Sequence, residues 1–421
     1  MNAKERDRRR FLKEGVALAG LAMGAIRSAN GQAPGSEQPG IRPGKFRAYG
    51  ERSRFETAVR MQKSPGSSSS FAPLQDQMGI ITPSALFFVQ SVYSSGDDPL
   101  DIDPQQHRLL IHGMVDRPLT FTMDELKRLP SVSRIHFIEC EGNSRFSIRG
   151  KNDAGVAETA QEIHGISGCS AWTGVLVSLL LREAGVQKGA SWLIAEGAET
   201  NKMVRSIPLE KAMDDVIVAY GQNGEALRPE NGYPVRLVVP GWDGNINIKW
   251  LRRIKVVDQP YMTHQESATR PSLRLDGKAR WFQWEMGPKS VITRPSGGQR
   301  LPSRGFYEIT GLAWSAGGAI RRVEVSTDGG RTYKDAQLQE PVLRKAFTQF
   351  TFPWNWNGEE TVLQSRCTDE RGDVQPTLAE LGKIWGVTPE YWQATTNHIN
   401  HFNPIFPWKV TREGSVHNAL F

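Results

Sequence analysis

Near residue 280 the hydrophobic pattern of this chain changes period, which limits it to two dissimilar folded halves. Between 80 and about 260, strand-length apolar runs alternate with helix-period stretches. His107–Gly113 reads as a strand with polar alternation, Ser133–Cys140 as a second, and Val216–Tyr220 and Val235–Val239 as buried strands. Thr122-Met-Asp-Glu125 is a capping-box pattern that opens a short helix ending at Pro130. Trp172–Ala184 reads as an apolar helix closed by Gly185, and Pro208 opens another. Gly221–Gly224 reads as a turn. Beyond 280 the helical repeat fades. Tyr307–Trp314, Ile320–Val325, Phe347–Phe352 and Val362–Cys367 are short strands with turn signals between them, Asp328-Gly329-Gly330 among these. The expected class is α+β: a mixed α/β domain over 80–275, an immunoglobulin-like β-sandwich over 276–390 and a docked tail over 391–421.

The N-terminal residues read as an address. Asp7-Arg8-Arg9-Arg10-Phe11-Leu12-Lys13 is a basic block with a twin-arginine pattern, followed by apolar Gly15–Ile26 and a small-residue exit near Ala29–Ala33. A charged head, short apolar middle and small-residue exit make a secretory signal, here residues 1–33. The twin arginines point to the route for folded cargo and to the periplasm. Residues 34–79, with Ser67-Ser68-Ser69-Ser70, read as an extended arm.

Composition narrows the function. Seven basic and three acidic residues fall within 1–33, so more than half of the formal +7 charge leaves with that segment. The small remainder gives no reason to invoke nucleic acid. Mean hydropathy is −0.44 and no apolar run is long enough for a membrane span. Three cysteines cannot staple 421 residues, so a disulfide scaffold is excluded.

One of those cysteines carries chemistry. Glu139-Cys140-Glu141-Gly142-Asn143-Ser144-Arg145 follows an apolar strand. A thiol at a strand end beside glycine can face a cleft, where a thiolate suits a transition metal. The bland alternative is a buried cysteine acting as a small hydrophobe. Arg145 can face the same cleft and hold an oxyanion through paired N–H donors. A second cluster runs from Asn231-Gly232-Tyr233-Pro234-Val235-Arg236 through Pro240-Gly241 and Gly244 to Lys249-Trp250-Leu251. A glycine-rich stretch flanked by two cations can cradle a phosphate. The alternative is surface charge beside a tight turn.

Taken together, these residues resemble the sulfite oxidase family of molybdenum enzymes. The cysteine block resembles its metal-binding Cys-x-Gly-Asn segment. The run from Asn231 to Gly241, with Lys249-Trp250-Leu251, resembles its pterin-binding segment. Ala171–Val175 resembles a Trp-x-Gly stretch of the family, Ile320–Thr332 its dimer-forming domain, and Val374–Thr377 the closing motif of that domain. Arg134–Cys140, Asp214–Gly224 and Pro295–Gln299 look like the sulfane dehydrogenase branch of sulfur-oxidising systems.

The resemblance implies that Cys140 is the protein ligand of molybdenum in a molybdenum–molybdopterin cofactor. It implies that Arg145 binds the anionic substrate and that Asn231, Arg236, Gly244 and Lys249 hold the pterin and its phosphate. It also implies oxygen transfer to sulfite or to a protein-bound sulfane sulfur, with a sulfur-containing anion or a sulfur-carrier protein as partner. No Cys-x-x-Cys-His occurs, so no c-type haem is expected in this chain. Electrons then leave to a separate carrier, and the resemblance implies a c-type cytochrome. A homo-oligomer through the sandwich is implied as well.

Some positions depart from the family. Gln90 and Val92 stand where members carry an arginine and a histidine, and Gln90 is assigned to the cofactor on that position. The active-site tyrosine expected after Lys-Trp-Leu is absent, with Arg270 near its place. Ile246 replaces a pterin arginine of the animal enzymes, and Phe146–Ile163 reads as an insertion. Two rivals follow: an S-oxide reductase on the same scaffold, and a secreted binding protein without catalysis. Relatives of the first kind generally lack the sandwich.

Overall fold

The computed structural model describes residues 50–90, 99–145, 158–199, 202–388, 390 and 401–420. The signal over 1–33, the histidine-equivalent Val92 and most of the insertion after Arg145 lie outside them. The chain divides into two units, with the described residues 50–57 in the first and the described residues from 58 on in the second. In the first, the amide of Glu56 closes a turn on the carbonyl of Ser53 at 3.0 Å. The rest concerns the second unit.

Two sheets form the N-terminal half. In one, Val132–Glu139 pairs with Ser167–Leu176, which pairs with Ile217–Gln222; Glu225–Ala226 and Arg236–Val238 flank the last. All these pairs are antiparallel. In the other sheet the order is Leu119–Phe121, Leu109–Gly113, Leu251–Val257, Trp192–Gly197 and Val204–Pro208, with one parallel pair, Leu251–Val257 on Leu109–Gly113. Alternation on Leu109–Gly113 buries Leu109 and Ile111 and leaves Leu110 and His112 half-buried, as a one-sided strand requires.

Helix ends follow their local chemistry. Thr122 and Glu125 close a capping box on Met123–Arg128, each side chain bonding the other residue's backbone amide. Val177–Ala184 buries Val177, Leu180, Leu181 and Ala184, one face at helical spacing, and ends at Gly185 with φ 73°. These residues join Leu109, Ile111, Val218, Leu237 and Ile254 in a core between the two sheets.

The expected helix over Trp172–Ala184 is therefore half strand. Trp172–Leu176 belongs to the central strand Ser167–Leu176, and the helix starts at Val177. That strand is buried on both faces: Trp172 packs with Phe87 and Phe137 in one core, and Val175 in the other. An apolar run without alternation carries no period to read.

The C-terminal half is a β-sandwich of two antiparallel sheets, as expected. Lys289–Arg294, Gly305–Trp314, Thr348–Trp356 and Gln337–Leu338 form one. Lys334–Asp335, Ile320–Ser326, Thr361–Asp369, Pro407–Val410 and Val416–Asn418 form the other. Ile292, Ile309 and Phe350 meet Val323, Leu363 and Trp408 between them.

Two outer segments differ from expectation. The arm over 34–79 is folded in its second part: Phe71 (5% exposed), Ala72 (0%) and Leu74 (1%) sit in the core. Its serine and glycine content hid three apolar anchors. The tail is a structural part of the sandwich, since Pro407–Val410 pairs along Thr361–Gln364. Cys140, Cys169 and Cys367 are free thiols. Burial pushes Cys169 up to about 12 and raises Cys367 further, so both behave as small hydrophobes.

Candidate active site

The strand Val132–Glu139 ends in a turn that presents Cys140. The Cys140 amide donates to the Ile166 carbonyl at 3.0 Å, and its carbonyl accepts from the Asn143 amide at 2.9 Å. Asn143 braces the turn further: its Nδ2 donates to Glu139 Oε1 at 2.9 Å and its Oδ1 accepts from the Ile166 amide at 3.0 Å. Ser144 Oγ lies 2.7 Å from His164 Nδ1.

Glu139 is fully buried and receives three donors. Lys289 Nζ lies 2.6 Å from Oε1 and Trp314 Nε1 donates to Oε2 at 2.7 Å. Burial pushes the carboxyl up, but Lys289, His401 and the Trp314 hydrogen bond together outweigh it and hold Glu139 below the usual carboxylate range. Both donors come from the sandwich, so the second domain reaches into the turn that carries Cys140.

The glycine-rich segment stands against the same turn. A Cβ on Gly244 would lie 3.0 Å from the Glu139 carbonyl oxygen and 3.2 Å from Cys140 Cα, so any larger residue would press the two backbones apart by a few tenths of an ångström. Gly232, at φ 105°, would place a Cβ 3.0 Å from Lys249 Cα. Asp243 Oδ1 accepts from the Glu141 amide at 2.9 Å and joins the two segments directly. Burial pushes the Asp243 carboxyl up to about 7, with Arg205 opposing.

One cavity collects these parts. It encloses about 790 Å³, its open mouth included, and is lined by Gln90, Cys140, Asn231, Arg236, Gly244 and Lys249, together with Phe87, Phe88, Glu199, Trp250 and Arg270. Six residues singled out from sequence thus meet there. Arg145 follows Cys140 in the turn, its amide bonded to the Gly142 carbonyl at 3.3 Å, and is not among the lining residues. Ile246 is buried in the apolar core.

The cations differ in role. Arg236 Nη1 donates to the Asn231 carbonyl at 3.0 Å and Nη2 to the Asn247 carbonyl at 3.1 Å, so its guanidinium buttresses the cradle wall. It also lies 5.0 Å over the Trp172 ring, and burial brings it down to about 9. Lys249 Nζ donates to the carbonyls of Glu230 at 3.1 Å and Gln90 at 3.3 Å. Burial, with Arg236 adding to it, pushes this ammonium down to about 7. An anion beside Lys249 favours its charged form. Burial raises the Cys140 thiol and Asp243 adds to that, while Arg270 pulls the other way.

The donor set fits a pterin with a metal. Asn231 is 2% exposed, and neither its Nδ2 nor its Oδ1 has a hydrogen-bond partner among the described residues. Gln90 Oε1 is buried and unpaired in the same sense. A buried amide with both ends open requires a polar partner. A pterin edge supplies donors and acceptors of that kind, a phosphate suits Lys249, and Cys140 offers one soft ligand. Among the described residues no cluster of three or more His, Cys, Asp or Glu could hold a metal.

Sequence reasoning missed Phe87, Phe88, Glu199 and the Glu141–Arg270 ion pair. The missing tyrosine was the sole signal for Arg270. For the phenylalanines and Glu199 no local signal exists.

Comparison with known proteins places this fold among the molybdopterin-binding oxidoreductases. The family description "Oxidoreductase molybdopterin binding domain" matches residues 95–265 and "Mo-co oxidoreductase dimerisation domain" matches 280–399. The chain belongs to the sulfite oxidase family. Among solved structures, the sulfane dehydrogenase SoxCD from Paracoccus pantotrophus superposes with a TM-score of 0.81 at 38% identity, over 91% of this chain and 99% of that one. Nitrate reductase [NADH] 1 of Arabidopsis thaliana is 34% identical over 76% of this chain and 39% of its own length. Nitrate reductase [NADH] 2 of Phaseolus vulgaris is 34% identical over 71% and 36%. The chain spans less than half the length of these plant relatives.

Proposed function

We propose that this chain is a periplasmic molybdenum oxidoreductase, exported by the twin-arginine route. It oxidises sulfite or a protein-bound sulfane sulfur and passes the electrons to a c-type cytochrome. The observation that carries the reading is the shared cavity of Cys140 and the Asn231–Gly244–Lys249 cradle. The likeness to SoxCD, which spans nearly all of that solved chain, favours sulfur chemistry. The dimerisation domain supports a homodimer through the sandwich.

Each residue has a task. Cys140 gives the metal its protein sulfur. Asn231 and Gln90 hold the pterin edge, Lys249 takes its phosphate, and Arg236 keeps the cradle backbone in place. Gly232 and Gly244 let the backbone come close. When bound, the molybdenum cofactor exchanges an oxygen atom with substrate and carries two electrons. For sulfite the balance is sulfite plus water to sulfate, two protons and two electrons. Phe87, Phe88 and Trp250 give the cavity an apolar lining, and low polarity strengthens the cationic field around an anion.

A second reading has a specific observation behind it: the plant nitrate reductases match over more than two thirds of this chain. Purified protein from a pterin-competent host separates the two. Oxidation of sulfite or a persulfide with ferricyanide or cytochrome c as acceptor supports the proposal. Reduction of nitrate or an S-oxide by reduced viologen, without sulfur oxidation, overturns it. Cys140→Ser removes turnover while the fold survives, because the two side chains are close in volume.

A further inference from the structure

A second cavity shares no lining residue with the one at Cys140. It encloses about 1360 Å³, its open mouth included, between the segment 280–288, the sandwich and the helix Leu378–Trp385. Its polar lining includes His401, Asn403 and Arg280. His401 is 5% exposed, and neither nitrogen of its ring makes a hydrogen bond among the described residues. Asn403 is buried as well, and its Nδ2 donates to the Pro288 carbonyl at 2.9 Å. The two side chains stand together against the Gly287 backbone, where a Cβ would lie 3.2 Å from Asn403 Nδ2 and 3.3 Å from His401 Nε2. A buried imidazole with both nitrogens open requires a polar partner.

Arg280 supplies a cation that is held in place. Its guanidinium lies 5.0 Å over the ring of Trp385, which is buried and packs with Leu381 and Phe402. Among the described residues no hydrogen bond or ion pair engages that guanidinium, so its N–H edges are open. Burial and then the like charge of Arg274 disfavour its charged form, which an anion would restore. The same charge reaches His401. Burial lowers that imidazole to about 4 against the pull of Glu139, and Lys289 and Arg280 add to the lowering. Glu285 and Asp373 also line the cavity, but Arg371 engages both: it forks onto Glu285 at 2.8 and 3.4 Å, and Asp373 acts on it too. Phe282, Trp284 and Met286 give apolar walls, and Trp284 is stacked on Trp242 at 4.8 Å.

We propose that this cavity is a second ligand site, and that it takes a carboxylate carrying an apolar body. Two N–H groups of Arg280 grip the carboxylate in parallel, His401 gives it a further N–H, and Phe282 and Trp284 cover the body. A bare inorganic ion would leave those walls in water, and a neutral ligand would leave the guanidinium without its partner. Nothing in this site depends on which compound is turned over at Cys140.

The test uses the cofactor-loaded protein and titration calorimetry with benzoate, its neutral isostere benzamide, acetate and sulfate. Benzoate is expected to bind about tenfold or more tightly than benzamide, which forfeits the charge-assisted bonds, and more tightly than acetate, which lacks the ring. Arg280→Gln is expected to weaken benzoate by about tenfold or more. Its melting temperature and turnover are expected to match wild type, because Arg280 lies at the surface. His401→Asn is expected to weaken benzoate by about fivefold; asparagine accepts the positive φ of 117° at this position better than most residues. Should that variant not fold, Arg280→Gln and the comparison with benzamide decide alone. Benzoate affinity within about twofold of wild type in Arg280→Gln, equal affinity for benzamide, or no benzoate binding at about 10 mM overturns the proposal. Acetate or sulfate bound as tightly as benzoate overturns it too, since the apolar walls then select nothing.

Discussion

The ammonium of Lys289 lies 2.6 Å from the carboxylate of Glu139, and both side chains are buried, 2% and 0% exposed. Lys289 opens the first strand of the sandwich and Glu139 immediately precedes Cys140, so the pair ties the second domain to the turn that carries Cys140. The cost of burying both charges is offset by their attraction and by the Trp314 and Asn143 donors.

Breaking that pair leaves an uncompensated charge. Lys289→Met is expected to destabilise the protein by about 3–5 kcal/mol and to lower molybdenum content by displacing the Cys140 turn. Lys289→Met with Glu139→Gln is expected to recover most of the stability. Urea denaturation of the single and double variants checks this. A single variant as stable as wild type would show that the pair has no such role.

Gly244 tests the close approach of the two segments. Gly244→Ala places a Cβ 3.0 Å from the Glu139 carbonyl oxygen and 3.2 Å from Cys140 Cα, tighter than ordinary contact. The neighbours must give by a few tenths of an ångström. The expected cost is about 1–3 kcal/mol, with reduced metal occupancy, and Gly244→Val costs more. Thermal melts and metal analysis on the same preparations read both effects.

Asn231 separates holding the cofactor from holding the fold. Its amide has no partner among the described residues, so Asn231→Ala removes no hydrogen bond of its side chain there. The cofactor-free melting temperature is expected to stay within a few degrees of wild type. Retention of the pterin is expected to weaken by about tenfold, the worth of one or two buried hydrogen bonds. Release of the pterin on dilution, followed by fluorescence, reports this.

Acid should destabilise the protein through two buried histidines. Burial lowers His136 and His401 to about 4, well below the 6.5 of an exposed imidazole. Between those values the unfolded chain binds more protons than the folded one, so stability rises with pH. The contribution is fully present above about 6.5, is lost as pH falls toward about 4, and changes little below that. Each histidine is worth on the order of 3 kcal/mol across that window. Urea midpoints at a series of pH values are expected to fall through it, and His136→Asn to flatten the slope.

The parts of the site that sequence made legible are those whose chemistry is local. A cysteine at a strand end and a glycine-rich stretch flanked by cations identify themselves over a few residues. Gln90 was found because it stands in a family position. Arg270 was marked only by the missing tyrosine near whose place it stands, and Glu199 was not marked at all, since nothing near it in sequence says which cavity it enters. Arg236 was found, but not its task, because only the fold shows its guanidinium capping two carbonyls. The sandwich was legible from evenly spaced short strands. Trp172–Leu176 was not, because a strand buried on both faces has no alternation to reveal it.

The central claim is that the Cys140 sulfur is bonded to molybdenum held by a pterin. X-ray absorption at the molybdenum edge, on wild type and Cys140→Ser loaded in the same host, tests it most directly. Wild type should bind molybdenum, and its count of sulfur neighbours should drop by one in the variant. Protein purified without molybdenum from a pterin-competent host, or an unchanged sulfur count after the substitution, would contradict the claim.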